Sequence, residues 1–134
     1  VKVKDIMTPD PIVLKETDSV ERAAIIMLEN QISGLPVVDN EGVVVGIITQ
    51  TDILKVMISV SGCYNSPIQF AVELEERTSA LCELIGSIKK YGARIISMFT
   101  STNNVPPGYW EVYIRIQDMP EDDLQRMKEI LGGH

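Results

Sequence analysis

Two short apolar runs, Leu35-Pro36-Val37-Val38 and Val43-Val44-Val45-Gly46-Ile47-Ile48, stand apart by only Asp39-Asn40-Glu41-Gly42. Each run is too short for a helix and rich in β-branched residues, and the four residues between them are turn formers. A hairpin is therefore predicted, and it constrains the rest of the first half. Ahead of it, Asp10-Pro11 makes a turn and Ile12-Val13-Leu14 reads as a short strand. A helix is predicted to open at Asp18, with Glu21 three positions on in a capping-box arrangement. Val20, Ala23, Ala24, Met27 and Leu28 recur at helical spacing and predict one buried stripe. After the hairpin, residues 49–57 begin a second helix with Thr or Asp at its cap. The first half thus reads strand, helix, strand, strand, helix.

Residues 61–67 (Ser-Gly-Cys-Tyr-Asn-Ser-Pro) shift to turn formers and predict a linker between a first segment, 1–60, and a second, 68–134. The second segment restarts with a strand at residues 68–74. Leu81, Leu84, Ile85 and Ile88 then form a helical stripe that stops at Gly92. Cys82, between Leu81 and Leu84, is expected in or near the core. Residues 95–100 read as a strand and residues 103–108 as a loop. Trp110, Val112, Ile114 and Ile116 alternate with Glu111, Tyr113 and Arg115, the pattern of a half-buried strand. Pro120 starts a last helix with Leu124, Met127 and Leu131 inward. The order is β-α-β-β-α, an α/β (α+β) class, and it leaves a slot for a fourth strand after Gly132-Gly133, beginning at His134. Both ends of the chain read as cut.

Composition narrows the function classes. Aromatics are 5% of a chain that is 45% hydrophobic, so the core must come from Val, Ile, Leu and Met. The net charge is -7, and the densest basic groups are Lys2/Lys4 and Lys89-Lys90, which speaks against a nucleic-acid partner. Cys63 and Cys82 have neither C-x-x-C spacing nor a flanking His, so no disulfide framework or structural zinc is expected. Free thiols fit a reducing, cytoplasmic setting. No apolar run approaches the ~20 residues that span a bilayer, so no membrane partner is expected. Glu121-Asp122-Asp123 complements a helix dipole rather than a cation. His134 is the only histidine, and no phosphate-binding glycine loop is present. With no catalytic constellation, no metal site and no required cofactor in view, the chain is expected not to be an enzyme.

One constellation remains, Gly46-Ile47-Ile48-Thr49-Gln50-Thr51-Asp52. It sets a hydroxyl and a carboxylate three residues apart where a buried strand gives way to a helix. A carboxylate there can accept hydrogen bonds from the adjacent hydroxyls of a ribose, and the helix N-terminus offers free N–H groups to an anion. The same two residues would serve equally as helix caps. Spacing alone leaves both readings open.

Met7-Thr8-Pro9-Asp10-Pro11, the helix from Asp18, Ile32-Ser33-Gly34-Leu35-Pro36-Val37-Val38-Asp39 and the Gly46 to Asp52 stretch together resemble a cystathionine-β-synthase (CBS) motif, in unbroken order over residues 2 to about 58. Such motifs work in pairs and bind adenosine-containing ligands (AMP, ADP, ATP, S-adenosylmethionine) in the clefts between them. The resemblance implies that Thr49 and Asp52 hold the ribose. It implies that Ile12 and the backbone at Leu35 and Pro36 flank the adenine, and that Thr8 approaches the phosphate side. Only one motif is present, so another motif or another chain must complete the pair. Gln50 and Thr51 supply no cation for a phosphate; Lys55, one turn on, is the nearest substitute.

The second half resembles an ACT domain, a β-α-β-β-α-β ligand-binding fold, over residues 70–131. Its candidate ligand loop is Arg77, Thr78, Ser79 and Ala80. Thr78-Ser79 stands where amino-acid-binding members carry Pro-Gly, which hinders close approach of a ligand carboxylate to the backbone. Dimerisation through the sheet is the plainer role. A CBS region followed by ACT is similar to the acetoin-utilisation-type CBS-ACT proteins. The resemblance therefore implies a non-catalytic sensor of an adenosine ligand, acting as a homodimer or higher oligomer on an unknown regulated protein. The alternatives are an oligomerisation module without ligand and an amino-acid sensor.

Overall fold

The computed structural model of the protein describes residues 1–66 and 68–131. By contacts the chain divides into two compact units, Val1–Met57 and Ile58–His134.

In the first unit, a short helix α1 (Val3–Ile6), not foreseen from sequence, precedes β1 (Leu14–Lys15), α2 (Val20–Asn30), β2 (Gly34–Val38), β3 (Val44–Thr49) and the start of α3 (Gln50–Ser61), whose last residues, 58–61, belong to the second unit. The sheet runs β1-β2-β3, with β1 parallel to β2 and β2 antiparallel to β3. The turn residues make the hairpin: Asp39 Oδ1 accepts from the Glu41 and Val43 N–H groups, both at 2.9 Å, and Gly42 supplies a φ of 80°. Leu14, Ala23, Met27 and Leu35 form the core on the helical side.

Three expectations shift here. The first strand is only Leu14–Lys15, and Ile12 and Val13 are exposed. Helix α2 is capped by Ser19 rather than Asp18: the Ser19 Oγ accepts from the Arg22 N–H at 3.1 Å. Asp18 instead accepts from the Lys15 N–H at 2.8 Å and pairs with Arg22 at 3.7 Å. Ser19→Ala should lower the stability of this unit by about 1 kcal/mol, read as a fall in melting midpoint, whereas Asp18→Ala should cost less. The α2 stripe is buried only at Ala23 and Met27. Leu28 is 77% exposed and, with Ala24, Ile53, Leu54 and Met57, lines an apolar groove between α2 and α3 of about 360 Å³.

The second unit holds β4 (Ile68–Glu75), α4 (Thr78–Lys90), β5 (Arg94–Ser101), β6 (Tyr109–Gln117) and α5 (Glu121–Leu131). Its antiparallel sheet runs β4-β6-β5, so the strand last in sequence lies in the middle. The alternation seen in sequence puts Val112, Ile114 and Ile116 of β6 in the core with Val72, Leu84, Ile88 and Met127. Cys82 departs from expectation and is exposed. Helix α4 buries Ala80, Leu84 and Ile88. Cys82 is two residues from both Ala80 and Leu84, about 200° round the helix, and so faces away from the core.

The turn-forming stretch behaves less like a free linker than its composition suggests. Ser61 is still helical, and Gly62 and Ser66 are buried. The Ser66 Oγ donates to the Ile116 carbonyl, and Arg115 donates to the Ser66 carbonyl at 2.6 Å. Pro67, the Leu131 side chain and the expected fourth strand from His134 lie outside the described residues.

Candidate functional site

The passage from β3 into α3 builds the site. Pairing of β3 with β2 brings Thr49 opposite Gly34, and the Gln50 N–H donates to the Ser33 carbonyl at 2.9 Å as the helix begins. The Thr49 N–H and hydroxyl both donate to Asp52 Oδ2 at 2.9 Å, and the Asp52 N–H returns a bond to Thr49 Oγ1 at 3.3 Å. This is a reciprocal capping box. Those two donors hold the Asp52 carboxyl below the ordinary carboxylate range, the backbone N–H most of all, with a smaller pull from Lys55. Asp52 therefore stays ionised at neutral pH. Both donors use Oδ2, and among the described residues Oδ1 carries no hydrogen bond. A half-buried carboxylate with one oxygen committed and one free can cap a helix and still accept a hydroxyl proton from a ligand.

Strand alternation decides which neighbours share that surface. Leu35, opposite Ile48, is 1% exposed and faces the helices, so only its backbone is available to a ligand. Gly34, opposite Thr49, and Pro36, opposite Ile47, lie on the other face. Ile47 is 68% exposed and forms with Pro36 an apolar floor beside Thr49. Gly34 and Ile47 were not singled out from sequence, although counting back in twos from Thr49 would have found Ile47. Thr8 and Ile12 sit in an exposed segment, and among the described residues no hydrogen bond ties them to Thr49 or Asp52.

In the second unit, Arg77 is the N-cap residue of α4 but caps nothing with its side chain. Its Nε donates to Glu75 at 2.7 Å, one guanidinium nitrogen donates to Ser79 Oγ, and Glu83 lies at 3.7 Å. The Glu75 hydrogen bond chiefly raises the Arg77 pKa above its ordinary value. Thr78 and Ser79 are exposed, whereas Ala80 is buried in the core. Arg77 therefore has its Nε and one terminal nitrogen engaged by its own neighbours. Among the described residues no three His, Cys, Asp or Glu side chains gather as a metal site, and no helix is long and apolar enough to cross a membrane.

Residues 3–59 match the CBS domain family. The chloroplastic CBS domain-containing protein CBSX1 of Arabidopsis thaliana is 43% identical over 58 residues, which is 43% of this chain and 25% of that protein. The chain therefore spans about a quarter of that relative's length. Among solved structures, CBSX2 in complex with AMP is 36% identical over 43% of each chain, with a TM-score of 0.42. The CBS domain pair of protein MJ0100, in complex with methylthioadenosine and S-adenosyl-L-methionine, is 41% identical over 42% of this chain and 45% of that one, with a TM-score of 0.40. The CBS domain assigned by the family match is therefore residues 3–59, and the match ends there. The second half is a β-α-β-β-α unit.

Proposed function

We propose that the CBS domain of residues 3–59 is half of a sensor cleft for an adenosine-containing ligand, AMP, ADP, ATP or S-adenosylmethionine. The protein is read as non-catalytic and cytoplasmic, and occupancy is reported as a change in subunit or domain arrangement. The observation that carries this reading is the Thr49/Asp52 box. Its carboxylate is fixed, ionised and free at Oδ1, beside an apolar floor of half-buried Pro36 and exposed Ile47. A ribose can bond to that oxygen while a purine covers the floor. The exposed Val44 and Ile47 side chains, opposite Val38 and Pro36, are consistent with a second CBS motif closing the cleft from this side. A ligand then acts by favouring one arrangement of the two motifs over another.

Calorimetric titration of the purified protein with the four ligands tests this. Binding at micromolar to submillimolar concentration is expected, with ATP the weakest because no cation stands at Gln50 or Thr51 for its extra phosphates. No heat from any of the four at millimolar concentration would sink the reading.

The apolar α2/α3 groove and the exposed β3 valines also favour a second reading, an oligomerisation module without ligand. Sedimentation showing a concentration-dependent dimer, with melting unaffected by any nucleotide, would select it. Amino-acid sensing at the ACT-like loop is weakened because Arg77 is already engaged by Glu75, Glu83 and Ser79.

A further inference from the structure

Gly34 stands directly opposite Thr49, and nothing in the fold asks for glycine there. Its φ lies outside the left-handed region, unlike that of Gly42, Gly62, Gly92 and Gly108. A Cβ built on it would stand 3.5 Å from the Ile48 carbonyl oxygen, 3.8 Å from Ile47 Cδ1 and 3.9 Å from Thr49 Cγ2. These are ordinary van der Waals distances, so a methyl fits without displacing anything. Within a strand, glycine gives up chain entropy and side-chain packing that other residues keep. A glycine that neither backbone geometry nor packing requires, set opposite the threonine that holds Asp52, marks a place where something else approaches the backbone closely.

We propose that Gly34 is a specificity-determining residue of the site: its bare backbone leaves room for the sugar ring of the nucleoside to lie against β2 while its hydroxyls reach Asp52. This rests on the adenosine-ligand reading above. A side chain at position 34 would share the face of Thr49 and stand where the ring passes. The occupied volume, and not a change in fold, then sets the loss of affinity.

The test uses Gly34→Ala and Gly34→Val, each followed by thermal melting and by calorimetry with AMP and S-adenosylmethionine. Gly34→Ala should melt at or above the wild-type midpoint and bind roughly tenfold more weakly. Gly34→Val, a good strand former, should melt close to wild type and bind at least a hundredfold more weakly. Either variant binding with the wild-type Kd overturns the proposal. So does a lower melting point for Gly34→Ala, which would make the glycine structural. If the wild-type protein binds neither probe, the adenosine reading fails and this proposal falls with it. Wild-type binding that the variants leave unchanged removes this proposal alone.

Discussion

Gly62→Ala should lower the melting midpoint of the second unit by roughly 10–20 °C, about twice the loss caused by Gly92→Ala. The two glycines share a backbone conformation, with φ of 70° and 74°, so an alanine at either one meets the same left-handed penalty of about 1–2 kcal/mol. Their surroundings differ. A Cβ at Gly92 meets nothing within 4 Å, whereas one at Gly62 overlaps Ile96 Cγ2. Ile96 cannot readily withdraw, because it lies at the irregular step of β5 between Ile95 and Ser97, and the Ser97 Oγ donates to the Ser61 carbonyl at 2.8 Å. Overpacking of a fixed contact adds about 1–3 kcal/mol, and in a unit of this size each kcal/mol moves the midpoint by about 4–8 °C. Differential scanning calorimetry of the two variants separates the terms. Equal shifts would show that the Gly62–Ile96 contact yields freely.

That contact also shows where the sequence stops being legible. Serine, glycine, cysteine, tyrosine, asparagine and serine in succession say that a chain turns, and it does turn after Ser61. They do not say that the turn is buried, because burial of Gly62 and Ser66 depends on Ile96, Arg115 and Ile116, residues about 30 to 50 positions away. Periodicity was informative wherever an element owes its orientation to its own pattern. β6 is the clearest case, with Val112, Ile114 and Ile116 all at 0% exposure. It misled where a single residue was placed by neighbours in sequence rather than by angle, as with Cys82. It also overreached at Leu28, whose stripe position faces a groove that α3 leaves open within the same unit.

The site divides the same way. Thr49 and Asp52 were legible because their interaction is local: three residues apart at a strand-to-helix junction, they meet whatever the rest of the chain does. The cap reading and the ligand reading, left open by spacing, turn out to be compatible, since the cap uses one carboxylate oxygen and leaves the other. Strand alternation alone puts Ile47 on the face of Thr49, whereas Gly34 and Pro36 are not legible there because their relevance depends on register, Gly34 against Thr49 and Pro36 against Ile47. A one-residue slip would have put Leu35 beside Thr49 and buried the floor instead.

Asp52→Ala should weaken adenosine binding by roughly a hundredfold, the loss expected when a charged acceptor that serves more than one ligand hydroxyl is removed. The same change removes the acceptor for the Thr49 N–H and hydroxyl, so a fall in melting point would accompany it and a structural cause must be separated. Asp52→Asn does this. The amide oxygen can still accept from Thr49 and keep α3 capped, while the charge is lost; melting should stay near wild type and affinity should fall roughly tenfold. If the Asp52→Asn protein binds as tightly as wild type, Asp52 is a cap and nothing more. The pH dependence gives an independent check. The folded protein holds the Asp52 pKa below its ordinary 3.8, so the ionised cap contributes fully above that value and is lost only as pH falls through the lower folded value. Adenosine is the right probe, since it lacks the phosphate of AMP that itself titrates near ~6. Its Kd should be flat from neutral pH down to about pH 5 and rise only in stronger acid. A rise centred near pH ~6–7 would assign the binding contact to some group other than this carboxylate.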